Sequence, residues 1–247
     1  FLDPWRGDSV KIGLRNPSVS SHGWESRATV ISILCRDMPF CTASVRGEIN
    51  QRNLAIHCVE SCNLRVRRGS DGELLEILDA DAVGPEVSDE SLLYFEISRH
   101  TNLDELHELR DTLVEILEEV GAVVSDFAAM RERLSEARAA ITETQCVEAE
   151  FRDEAVRFVD WLRKDHMTFL GYEYLVVDGD EVRVDESRSL GSLRSRTSRG
   201  AQELKQDIDA MGSAELQRRQ LSFSKSAKRS RVHRLAYPDY VELKVFD

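Results

Sequence analysis

Residues 28–57 read ATVISILCRDMPFCTASVRGEINQRNLAIH, and the interruption in the middle decides the fold. Ala28 to Cys35 is a β-rich, largely apolar run that reads as a strand. Arg36-Asp37-Met38-Pro39-Phe40 stops it. Pro39 suits the first turn of a helix, because the N–H it lacks would have no partner there. Asp37 is placed to accept hydrogen bonds from the free amides of that turn. Val45, Ile49 and Leu54 then supply apolar helix positions, with Ala43 and Gly47 as small ones, and the helix is expected to end near Asn50–Asn53. Leu54 to Val59 reads as a returning strand.

Working outward, Val10 to Leu14 alternates like a short strand closed by Asn16-Pro17, and residues 18–26 are a Ser-rich loop. Beyond the returning strand, Leu64–Arg67 and Glu73–Leu78 flank a Gly69–Gly72 turn and predict a hairpin. An acidic loop fills 79–90, and Ser91 to Ser98 is a further strand. Asn102 with Glu105 three residues on forms a capping-box pattern. The helix it opens carries Leu103, Leu106, Leu109, Leu113, Ile116, Leu117 and Val120 at the spacing of one buried face. A separate second helix is expected through Phe127, Met130, Leu134, Ala137 and Ile141. The order strand, helix, three strands, helix predicts an α+β domain, an antiparallel sheet with helices on one face.

Thr142 to Cys146 is the best boundary in the sequence, giving domains at 1–142 and 147–247. In the second, Phe151, Ala155, Phe158, Val159 and Leu162 mark a helix. Thr168–Val177 and Glu181–Val184 read as a hairpin, with Gly171 at a bulge or close backbone approach. Residues 186–200 are Ser/Arg/Gly-rich, a helix is expected near 201–211, and Leu221–Lys225, Val232–Leu235 and Tyr240–Phe246 read as strands. The chain starts at Phe1 and stops at Asp247 in a strand-like run, so it is expected to be a fragment of something longer.

Composition narrows the function. Of 247 residues 41% are apolar and 32% charged, which supports folded cores. No run approaches the roughly 18 apolar residues of a membrane helix. The net charge of -12 is unevenly spread: residues 186–234 hold 12 Lys/Arg against 5 Asp/Glu, an asymmetry that can report a partner surface. Five cysteines form no regular framework, which points to a reducing compartment, here the cytoplasm. No Walker loop, HExxH, GxSxG or CxxC occurs, so a free-standing hydrolase or metalloenzyme is disfavoured and no metal site is expected.

Ile33 to His57 resembles the opening of an ACT-type regulatory domain, a ferredoxin-like fold. Such domains carry Asp-x-Pro-Gly and then an apolar-spaced helix. Here Asp37-Met38-Pro39 fits, and Phe40 stands where glycine is usual. Asp37-Met38-Pro39-Phe40 with Ser44-Val45 is also similar to a segment of the large NAD-specific glutamate dehydrogenases. So are Ser91–Arg99, Trp161–Tyr172, Lys225–Arg234 and Asp239–Asp247, in the family's order. The resemblance implies an N-terminal regulatory segment of ACT-like and PAS-type modules, the second module PAS-type or ACT-like and incomplete. It implies a parent enzyme that oxidises L-glutamate to 2-oxoglutarate and ammonia with NAD. It places no catalytic residue and no cofactor within this fragment. The partners implied are the rest of the enzyme, like subunits and a free amino-acid effector.

The effector residues implied are Asp37, Met38, Pro39, Phe40, Cys41 and Thr42, where helix amides would meet a carboxylate. The plainer alternative is a capped strand-to-helix turn with Met38 and Phe40 packed on the sheet. Cys41 reads as an inert thiol, since no orienting group accompanies His57 as a base. His166 reads as a helix C-terminal histidine. The rival function is nucleic-acid binding through Arg218, Arg219, Lys225, Lys228, Arg229, Arg231, His233 and Arg234. Phe223 is the only aromatic among them, so stacking platforms are scarce and a face opposing the acidic helix 102–120 is the preferred reading.

Overall fold

The computed structural model describes residues 1–2, 4–7, 9–178, 181–194 and 220–245. The expected helix near 201–211, with Arg218 and Arg219, lies outside the described residues. The chain divides into two compact units: Phe1–Gly121 with Arg231–Leu235, and Ala122–Ser230 with Ala236–Asp247.

The first unit is built on a five-stranded antiparallel sheet in the order β1-β2-β5-β3-β4. Its strands are β1 (Lys11–Arg15), β2 (Thr29–Arg36), β3 (Ile56–Arg68), β4 (Leu74–Leu78) and β5 (Val87–Ile97). A four-residue turn of helix, α1 (Val19–His22), lies between β1 and β2. The edge beside β2 is taken by β1, which pairs from Lys11↔Leu34 to Arg15↔Val30. The strand expected at 54–59 and the first arm of the hairpin are one 13-residue strand, β3. Residues 60–63 hold no Gly or Pro to break the strand, and β5 offers a ladder that they join.

Register places Ile31 opposite Phe95 and Ile33 opposite Leu93, so these four share one face and are wholly or almost wholly buried. Val45 and Ile49 of α2 (Cys41–Gln51) and the Leu106–Val120 stripe of α3 (Leu103–Glu143) complete this core. Arg52 at the end of α2 donates to Thr112 at 2.9 Å and to Glu48 at 2.7 Å, tying α2 to α3. Ahead of β1, Trp5 is buried, its backbone N–H donates to the Gly72 carbonyl at 2.9 Å, and the Arg68 guanidinium lies 5.4 Å from its ring centre. Arg68 forms a buried ion pair with Glu90 at 2.6 Å, their side chains 9% and 1% exposed.

The two helices expected at 102–120 and 127–141 are one 41-residue helix, α3. At about 1.5 Å per residue it runs roughly 60 Å. Gly121 weakens helix propensity by about 1 kcal/mol, but the apolar spacing carries on through buried Val120, Val123 and Met130 and keeps the helix whole. Asn102 caps it, accepting from the Asp104 and Glu105 amides at 3.0 and 3.4 Å. The sequence boundary at 142–147 therefore falls at the end of α3, before α4 (Ala149–Trp161).

In the second unit α3 and α4 pack through Leu134, Ile141, Ala155, Val159 and Leu162. Arg138 and Asp160 join them through bonds of 2.6 and 2.9 Å. A π-helical turn at Leu162–His166 ends with Asp165 at φ 60°, and His166 stacks on Trp161 with centroids 4.6 Å apart. Among the described residues the strands form three two-stranded ladders. They are β6 (Gly171–Tyr172) with β9 (Leu190–Gly191), β7 (Leu175–Asp178) with β8 (Glu181–Val184), and β10 (Leu221–Lys225) with β11 (Asp239–Leu243). The run expected as one strand through 177 is split between β6 and β7. A Cβ on Gly191, at φ 59°, would lie 2.5 Å from the Leu170 carbonyl, and one on Gly171 2.8 Å from Leu193. Only glycine allows the two backbones this approach.

Candidate functional site

The end of β2 runs into the cleft that the sequence singles out. The Asp37 N–H donates to the Asp89 carbonyl at 2.9 Å, holding the chain against β5 as it leaves the sheet. The Asp37 carboxylate does not cap α2, as its spacing suggests; it turns back across the strand ends. Its Oδ1 accepts from the Ser91 hydroxyl at 2.7 Å and its Oδ2 from the Asn63 amide at 3.1 Å. Three strands thus fix one carboxylate: β2 leads to it, and β3 and β5 each supply a donor.

The helix starts two residues later than a proline at its first position implies. Pro39 precedes the helix, and Phe40 takes the N-cap position at φ 76°, left-handed, with no side-chain cap. A positive φ is where a residue without Cβ is easiest to place, which is the physical reason for glycine there in ACT-type sequences. Phe40 is held instead by packing. Its ring lies 4.6 Å from that of His233, whose backbone N–H donates to the Ser44 hydroxyl at 3.1 Å. The first helical bond runs from the Ser44 amide to the Phe40 carbonyl at 2.9 Å. Helical geometry leaves the amides of Cys41, Thr42 and Ala43 without intrahelical acceptors, and the first turn holds no acidic residue.

Asp37, Met38, Pro39, Phe40, Cys41, Thr42 and Ala43 line an open cleft of about 560 Å³ with Ser61, Asn63, Ser91 and His233. All six residues chosen from the sequence line it. Two kinds were not legible. Asn63 and Ser91 hold Asp37 across the sheet, and only strand register brings them there. His233 arrives from a segment that pattern alone makes a strand; residues 231–235 are bends that join the first unit. Arg231 in that segment pairs with Glu115 at 3.1 Å and Glu119 at 3.3 Å on α3, the acidic helix that sequence set against the basic stretch.

Chemically the cleft offers a fixed carboxylate, the amides of a helix's first turn, which have no intrahelical acceptors, and an imidazole beside an aromatic ring. The positive end of α2 favours an anion and Asp37 a cation. No nucleophile–base pair is formed with His57, which is exposed on β3 while the Cys41 sulfur rests on that of Cys35. Among the described residues no group of three or more His, Cys, Asp or Glu is placed to hold a metal. No described helix is long and apolar enough to cross a membrane.

Residues 1–113 match the family model described as Glutamate dehydrogenase, ACT1 domain. The whole chain is similar to the NAD-specific glutamate dehydrogenase of Pseudomonas aeruginosa, 38% identical over 255 residues, and to that of Halomonas elongata, 35% over 257. It spans 16% of the length of each. The ACT1 match and the full-chain likeness support reading the chain as a segment of that kind of enzyme.

Proposed function

We propose that the cleft at Asp37–Thr42 receives a free amino acid and that this ACT1 segment passes its presence to the rest of the enzyme. One observation carries the reading: a fixed carboxylate stands beside unfilled amides at the start of α2. An amino-acid zwitterion complements both at once, its ammonium on Asp37 and its carboxylate on the amides of Cys41, Thr42 and Ala43. The absence of a side-chain cap favours a ligand in that role over a self-contained turn.

The catalytic work, oxidation of L-glutamate with NAD, belongs in this reading to the remainder of a longer chain. This segment holds neither the reacting groups nor the cofactor. Its partners are that remainder and like subunits, in the cytoplasm. The module division at 1–142 and 147–247 and a PAS-type identity for the second module complete the proposal; α3 ends and α4 begins at that division, while the end of α3 from Ala122 onward packs with the second compact unit.

A thermal-melt screen of the chain against the common amino acids tests it. A ligand at 100 times its Kd should stabilise the chain by about 2.7 kcal/mol. At least one amino acid is expected to raise the melting point, and Asp37→Asn to abolish the rise without changing the unliganded melting point by more than a few degrees. A flat response to every amino acid would overturn the effector reading. The same preparation should produce no NADH from glutamate and NAD, and turnover would overturn its non-catalytic role.

A further inference from the structure

Cys35 and Cys41 flank the bend at its base. Cys35 ends the buried part of β2, and Cys41 is the first residue of α2; they are 1% and 3% exposed. The Cys35 thiol donates to the Cys41 sulfur at 4.0 Å. The two thiols are in van der Waals contact across a five-residue bend, and closure to a disulfide needs the sulfurs to approach to about 2.05 Å. Cys41 also lines the cleft, which places one member of the pair beside the solvent-open side of the bend.

We propose that Cys35 and Cys41 are a peroxide-sensitive dithiol that closes reversibly to a disulfide across the base of the strand-to-helix bend. The site is a modification site distinct from the effector reading, although the bond would tether the residue whose amide opens the row of donors.

The two sulfurs divide the work. The hydrogen bond from Cys35 holds the Cys41 thiol below its ordinary value, while that same bond, with burial, pushes Cys35 up. Cys41 is therefore the attacking sulfur. Its thiolate attacks one oxygen of hydrogen peroxide, the O–O bond breaks, and hydroxide leaves, giving Cys41 sulfenic acid. The Cys35 sulfur then attacks the Cys41 sulfur, the S–O bond breaks, and the hydroxyl leaves as water with the Cys35 proton. In sum two thiols are oxidised and one peroxide is reduced to two waters. A small dithiol or glutathione reverses the bond by exchange.

The sequence supplies a clean readout. Arg36 lies between the cysteines, and Arg27 and Arg46 lie outside them, so trypsin separates Ala28–Arg36 from Asp37–Arg46 unless a disulfide joins them. The chain treated with a modest excess of hydrogen peroxide, alkylated and digested without reductant is expected to yield these two peptides linked, two hydrogens lighter than their sum. Dithiothreitol before digestion should separate them. A chain with Cys58, Cys62 and Cys146 all replaced by serine should give the same linked pair, and Cys35→Ser should leave Cys41 as its sulfenic acid, trapped by dimedone. Peroxide that oxidises only Cys58, Cys62 or Cys146, or that drives Cys41 to irreversible acids with Cys35 untouched, would overturn the proposal. No ligand enters the measurement, so its failure is distinguishable from failure of the effector reading.

Discussion

At the residue scale, the bend shows how one side chain's role depends on partners far along the chain. Asp37 has the right type and spacing for a helix cap, yet Ser91 and Asn63 draw it back to the sheet. Phe40 accepts a left-handed backbone conformation that costs a non-glycine residue roughly 1–2 kcal/mol, and its packing on His233 offsets part of that. Arg68 and Glu90 illustrate burial most sharply, because both charges are almost wholly withdrawn from water. Removing one partner strands the other. Arg68→Ala should therefore destabilise the chain by about 3–5 kcal/mol, whereas Arg68→Met with Glu90→Leu should recover most of the loss. Urea unfolding of the single and double variants measures both. Equal losses in the two would show that the pair is not what the burial implies.

At the element scale, α3 is the clearest case of local pattern and final structure agreeing on type while differing in extent. Its capped start, Leu stripe and acidic outer face are all readable from Asn102 onward. Its continuation past Gly121 is decided by packing, since Val123 and Met130 are buried in turn. The same helix is joined to α4 by Arg138 and Asp160, and the two hydrogen bonds from Arg138 hold the Asp160 carboxyl below its ordinary value. A carboxyl whose pKa is lower folded than unfolded adds stability that is complete above the unfolded value, about 4. That stability is lost as pH falls through the folded value. Asp160→Asn should thus lower the melting point at pH 6–7, and the difference from the parent chain should shrink as pH falls through the folded value. Parallel melting curves across that range, with no convergence, would refute the linkage.

At the scale of the whole molecule, the charge asymmetry has a structural account in the described residues. Arg231 is paired with Glu115 and Glu119, Lys225 with Asp239, and Arg229 lies over Tyr237. Cations already engaged by neighbouring acids, on a chain of net charge -12, make a poor track for a phosphate backbone. The chain should elute from heparin at low salt and leave tRNA mobility unchanged; retention that falls steeply with salt would restore the nucleic-acid reading. From the sequence by itself came the α+β class, the place of the bend, the six residues along it that line the cleft, the capped start of α3 and the family resemblance. Each depends on neighbours within a turn or two, or on periodicity along one element, and such short-range preferences survive without the fold. Tertiary structure alone decided that Asp37 serves the sheet and not the helix, that β3 is one strand, that Cys35 and Cys41 touch, and that His233 closes the cleft. Those outcomes rest on register and on packing between distant segments, where the energy of a contact depends on what the rest of the chain brings beside it.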